Sequence, residues 1–175
     1  PEPTLVEDTY HKILKLINDV GKNLERYPSV HKNKKEEDLR DYILLTLDPN
    51  FESGSASGET FNKEGKADIV LKYDSSNIFI AECKFWSGPQ GINKAINQLF
   101  GYLTWRDSKT AIIIFVKRKE MSNIIYKTKK EISKHPNFVT EMDASDETWL
   151  NYIFKLPDDE NKEIKVAVLL FHIPE

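Results

Sequence analysis

The sequence predicts an α/β fold, a mixed β-sheet flanked by helices. Three observations predict it. Four stretches, at residues 7–27, 36–47, 92–106 and 121–135, repeat apolar residues at helical spacing. Between and after them lie short runs rich in β-branched and aromatic residues, the composition of strands. One of these, residues 110–116, is apolar throughout, as a strand buried on both faces at a sheet centre must be. Strand, helix, strand across residues 80–116 then implies a right-handed crossover and a parallel pair.

Length and composition bound the rest. A chain of 175 residues, 39% of them hydrophobic, is enough for one domain with a sizeable core and hardly two. No apolar run approaches the ~20 residues of a membrane span, so no membrane partner is expected. The opening residue is Pro1, which is expected of an excised domain or processed product. The single cysteine rules out an internal disulfide and fits the cytoplasm. The four histidines are scattered, without zinc-like spacing. The net charge of −3 argues against a simple nucleic-acid coat and says little about a local groove. Lys117, Arg118, Lys119, Lys127, Lys129 and Lys130 form a basic stretch that either faces phosphate or is a solvated surface.

In order along the chain, Ile13, Leu14, Ile17, Val20 and Leu24 make the stripe of the first helix, which Pro28 ends. Leu39, Ile43 and Leu47 make that of the second. Glu36 lies on that stripe and Glu37 about 100° away from it. An acid on a buried stripe needs a partner, unless it only complements the helix dipole. Arg40, one turn on, pairs with it or reaches a phosphate. Residues 51–61 are rich in Ser and Gly and read as a first strand with a glycine-containing segment near a site. The third helix carries Ile92, Ile96, Leu99 and Leu103. Residues 138–142 form a short edge strand. Residues 148–156 and 163–173 form a terminal hairpin that widens the sheet or offers a dimer edge.

The chemistry gathers at residues 65–84. Two short alternating runs, 65–70 and 80–84, flank turn residues Asp74-Ser75-Ser76-Asn77 and read as a hairpin. Glu82 and Lys84 share a strand face. Asp68 joins them only if it lies opposite Glu82, which needs Tyr73 opposite Asn77 or a bulge that repairs the register. Two desolvated carboxylates repel and raise each other's pKa unless a cation sits between them. Mg²⁺ or Mn²⁺ suits such an all-oxygen site, with the backbone carbonyl of Cys83 as third ligand. Lys84 then activates a water or stabilises charge on a phosphate. Lys66 either contacts phosphate or is a solvated strand-edge lysine, and Trp86 either stacks on a base or caps the core.

At these residues the sequence resembles the PD-(D/E)xK nuclease superfamily. Asp68 matches the first acid, Glu82 the second and Lys84 the lysine; Ala67 stands where the motif name has Pro. Gln98-Leu99-Phe100-Gly101-Tyr102 matches the Gln-x-x-x-Tyr element of its RecB-type branches. The resemblance spans roughly a quarter of the chain. It implies a restriction-endonuclease-like domain with its catalytic core over residues 36–116, preceded by an N-terminal helix within 1–30 and followed by an extra C-terminal hairpin at 148–173. It also implies a Mg²⁺-dependent endonuclease acting on DNA in defence against foreign DNA, and a homodimer where both strands are cut. It carries a metal-facing role to Glu36, with Glu37 as the alternative, and substrate or lysine-orienting roles to Gln98 and Tyr102. A catalytically silent nucleic-acid-binding module is the competing expectation.

Overall fold

A computed structural model describes residues 7–48, 55–57, 60–62, 65–73 and 76–175. The chain runs α1 (Glu7–Arg26), α2 (Pro28–His31), α3 (Glu36–Leu47), β1 (Ser55–Ser57), β2 (Thr60–Asn62), β3 (Gly65–Ala67), β4 (Ile69–Tyr73), β5 (Ser76–Phe85), α4 (Pro89–Tyr102), β6 (Lys109–Val116), α5 (Met121–Ile132), β7 (Phe138–Asp146), β8 (Trp149–Leu156) and β9 (Asp159–His172). Seven strands form one mixed sheet in the order β1-β4-β5-β6-β9-β8-β7, while β2 and β3 pair as a separate ribbon. No helix among the described residues is long and apolar enough to cross a membrane.

The sheet is covered on both faces. Ile13, Ile17 and Leu24 of α1 and Leu39 and Ile43 of α3 pack with Phe79, Ile113, Leu169 and Phe171 on one face. Ile92, Ile96 and Leu99 of α4 and Ile124 of α5 pack with Ile80, Ile112, Ile114 and Leu170 on the other. The run at 110–116 is therefore buried on both sides, as its unbroken apolarity requires, and it is the middle strand of the seven. β5 and β6 pair in parallel across the α4 crossover.

The structure departs from four expectations. Residues 65–70 are not one strand: β3 pairs with β2, the chain bends at Asp68, and β4 then joins the main sheet. The terminal hairpin is not an edge. β9 inserts in parallel against β6, from Lys109 opposite Lys165 to Val116 opposite His172, and β8 follows it. The edge is β7, which runs to Asp146 rather than stopping at 142. The near-continuous apolar sequence of β9, Val166-Ala167-Val168-Leu169-Leu170-Phe171, is that of an interior strand. As expected, α1 ends at Arg26 ahead of Pro28, which then opens a one-turn helix at its first position, where its missing N–H costs nothing. The third helix starts at Pro89 and ends at Tyr102, so Leu103 caps it rather than extending its stripe.

Candidate active site

The register of β4 against β5 decides whether the acids meet. Ile69 lies opposite Ala81 and Val70 opposite Ile80. Asp68, at the bend before β4, thus continues the count to Glu82. The route is the bulge: Lys72 pairs with Asn77 and Tyr73 with Ser76, and the register shifts between Leu71 and Lys72. Ile78 is the extra residue. Had the turn-proximal register continued, every inward side chain of β4 would have changed face. The turn residues Asp74 and Ser75 lie outside the described residues.

β4 begins only at Ile69, so beyond Ala81 no strand among the described residues pairs with the outer edge of β5. Carboxylates take the place of a strand. Cys83 donates its N–H to Asp68 Oδ2 at 2.8 Å, and Phe85 donates its N–H to Glu36 Oε2 at 2.9 Å. A buried N–H needs an acceptor, and here the motif acid and the helix acid supply it. In an extended strand a residue's N–H and C=O point to the same edge, so the Cys83 carbonyl also lies on the Asp68 side. Glu36 is half-buried at the start of α3, whereas Glu37 is exposed.

Glu82 stands apart. It is only 4% exposed, and its Oε2 is buried with no hydrogen-bond partner among the described residues. Burial first, then the Asp68 carboxylate, pushes its pKa up to about 8. The Lys84 ammonium opposes that rise, and Glu36 adds to it more weakly. Lys84 is half-buried on the same strand face as Glu82. An unpartnered buried carboxylate oxygen is costly, about 1–3 kcal/mol or more, and calls for a ligand or a proton.

Arg40 is buried beside Asp68, its Nη1 3.7 Å from Oδ1. Its Nε and Nη2 also donate to Asp41 Oδ1 at 3.1 and 3.0 Å. Glu36, the partner expected for it, accepts the Phe85 N–H. The guanidinium thus bridges the Asp41 and Asp68 carboxylates.

Tyr102 at the end of α4 feels the same centre. Burial, then Glu82 and Asp68, pushes its hydroxyl up to about 12. Gln98, one turn earlier, is exposed and makes no hydrogen bond to Lys84 among the described residues. Gln98 and Tyr102 line a shallow hollow of about 400 Å³ with Lys94, Asn97 and Gly101. Trp86 is half-buried against the α4-side core, with its backbone N–H donated to the Phe115 carbonyl. The side chain of Lys66 lies outside the described residues.

Among the described residues no three His, Cys, Asp or Glu side chains gather as a ready-made metal cage. The donors that do converge are two carboxylates, Asp68 and Glu82. The orphaned Oε2 of Glu82, buried in an all-oxygen setting, fits a hard divalent cation. Glu36 stays two residues along the strand, engaged at Phe85.

Two features had little signal in the sequence. Adjacent residues on a helix do not normally face each other, so the Arg40–Asp41 pair was not visible. The two N–H groups at Cys83 and Phe85 need acceptors only because β4 starts at Ile69, a boundary the residue pattern does not mark. No family model matches the chain, and no curated protein or solved structure matches it either.

Proposed function

We propose that the protein is a metal-dependent nuclease that hydrolyses phosphodiester bonds in DNA. The observation that carries the reading is Asp68 beside a buried Glu82 whose Oε2 has no hydrogen-bond partner among the described residues, with Lys84 next on the same strand face. Asp68, Glu82 and the Cys83 carbonyl would hold Mg²⁺ or Mn²⁺. When bound, such an ion supplies Lewis-acid stabilisation of the phosphate and lowers the pKa of a coordinated water.

The remaining work falls to the protein's own side chains. Lys84 orients the attacking water and stabilises charge developing on the phosphate oxygens. Asp68 is fixed by the Cys83 N–H and by Arg40, so it meets the substrate without reorganising. Glu36 fixes the end of β5 through Phe85 and so sets the Lys84 backbone. Tyr102 and Gln98 contact the strand being cut. Defence against foreign DNA is the setting that the resemblance to restriction-type nucleases suggests, and the free edge of β7 is the surface available to a homodimer.

A nucleic-acid-binding module without catalysis is the second reading. It is favoured by one observation: Asp68 and Glu36 already accept backbone N–H groups, and among the described residues no third acid joins Glu82.

Incubating plasmid and single-stranded DNA with the protein in Mg²⁺, Mn²⁺ or EDTA separates the two. The expected outcome is cation-dependent cutting that Lys84→Ala abolishes with no change in melting temperature. A wild-type protein that neither cuts in any cation nor shows calorimetric cation binding overturns the nuclease reading.

A further inference from the structure

We propose that the outer surface of α4 and α5 binds the phosphate backbone of duplex DNA, outside the carboxylate centre. Lys127, Lys129, Lys130 and Lys134 are all exposed on α5 and the turn after it, and Lys94 is exposed on α4. The ammonium group of none of the five has an ion pair or hydrogen bond among the described residues.

Five cations elsewhere are, by contrast, paired. Lys15 pairs with Asp19, Lys22 with Asp146, Lys117 with Glu175, Arg118 with Glu120 and Lys165 with Glu7. The one acid within α5, Glu131, is half-buried and accepts a hydrogen bond from Asn93 at 2.7 Å. It is turned to the interhelical seam rather than to the lysines. In a chain of net charge −3, this surface is a local excess of positive charge.

Position supplies the second argument. Asn93 bonds Glu131 and Asn97 bonds His135, so α4 and α5 run side by side in the same direction. That places Lys94 at the height of the last turn of α5. Lys94 also lines the hollow that holds Gln98 and Tyr102. The lysines lie on the side of the sheet that α4 and α5 cover, and Lys94 shares the hollow with Tyr102, whose hydroxyl feels the Glu82 and Asp68 carboxylates. Lysines on a helix face read charge and spacing, not bases, so the contact is sequence-independent. The inference takes its polyanion from the nuclease reading but not its geometry.

The test is fluorescence anisotropy of the full chain with a labelled duplex of about three helical turns in EDTA, where no cutting intervenes. Lys127→Glu/Lys130→Glu/Lys134→Glu is compared with wild type and with Asp68→Asn over a salt series. The expected result is affinity lowered at least about tenfold in the triple variant. The slope of log affinity against log salt should become shallower by about 0.9 for each phosphate no longer neutralised. Asp68→Asn should bind at least as well as wild type, and circular dichroism should show all three folded. Wild-type binding that the charge reversal leaves unchanged overturns the inference. So does wild-type preference for vesicles containing phosphatidylserine over the duplex. Absence of cutting in Mg²⁺ beside intact, lysine-dependent binding would count against the nuclease reading alone.

Discussion

The two halves of the sheet follow opposite rules. From β6 through β9 to β8 the strands are long and the β6–β9 register runs unbroken over eight pairs, with Phe115, Phe154 and Phe171 fully buried. From β1 through β4 to β5 the two outer strands, β1 and β4, are short, a bulge shifts the register, and a bend interrupts the chain at Asp68. In the regular half the ladders pair backbone with backbone, except that the His172 N–H at the end of β9 goes to Glu25 Oε2. The irregular half leaves the edge of β5 open and satisfies it with carboxylates. Both halves contribute to the core, and the irregular half alone also carries the buried Glu82 carboxyl group.

The strongest test separates these roles directly. Lys84→Ala should lower cleavage at least about 10³-fold while leaving the melting temperature within a degree or two, because a half-buried lysine contributes little packing. Phe171→Ala should do the reverse. It empties the space between Phe115 and α1, at a cost of about 3–5 kcal/mol, and should leave turnover per folded molecule intact. Thermal melts beside single-turnover cleavage would show both. Equal loss of stability in the two variants would erase the distinction between the halves.

The next effect is set by pH. The pKa of Glu82 in the folded chain is about 8, raised from an ordinary 4.5. The folded state therefore holds a proton that the unfolded state has already released, so stability is lost as pH rises between those values. The full penalty, of order 2–5 kcal/mol, is present above about pH 8. Melting in EDTA from acid to mildly alkaline pH should show the decline, and Glu82→Gln should flatten it. Adding Mg²⁺ should raise the melting temperature more on the alkaline side of that pKa than on the acid side, since the cation competes with the proton. A cation effect independent of pH would place the binding elsewhere.

A smaller effect tests the regular half at its tightest contact. A β-carbon added at Gly21 of α1 would lie 2.2 Å from the Phe171 ring. Gly21→Ala should cost about 1–3 kcal/mol despite its better helix propensity, because the ring is hemmed in by the core. Denaturant unfolding measures it. A stabilised variant would mean that α1 can lift from β9 freely.

How far the sequence could be read follows the same division. Periodicity located all four longer helices and the central strand, because burial on one stripe or on both faces leaves a direct imprint on residue type. The pairing of Asp68 with Glu82 was legible as a condition, with the bulge as one of two ways to meet it. The order of strands was not legible. Parallel insertion of β9 beside β6 depends on long-range packing that no local pattern encodes, although the unbroken apolar run at 166–171 marked β9 as interior. The bend at Asp68 was hidden because Gly65-Lys66-Ala67 and Ile69-Val70 read as one strand until β2 claims the first part.

The subtlest effect lies at the contact that the sequence concealed most fully. Asp41 is largely exposed, so its ion pair with Arg40 contributes less than about 1 kcal/mol to stability. Its geometric role is larger. Asp41 anchors two nitrogens of Arg40, while the third group, Nη1, stands 3.7 Å from Asp68. Asp41→Asn should keep a hydrogen-bond acceptor and leave melting within a degree or two. It should nevertheless weaken the hold on Arg40, let Asp68 wander, and slow cleavage severalfold without raising KM. Asp41→Ala should slow it further. A change in KM alone would instead make Arg40 a substrate contact. The irregular half would then owe its fixed acid to the Cys83 N–H by itself, and Arg40 would belong with the residues that meet the DNA.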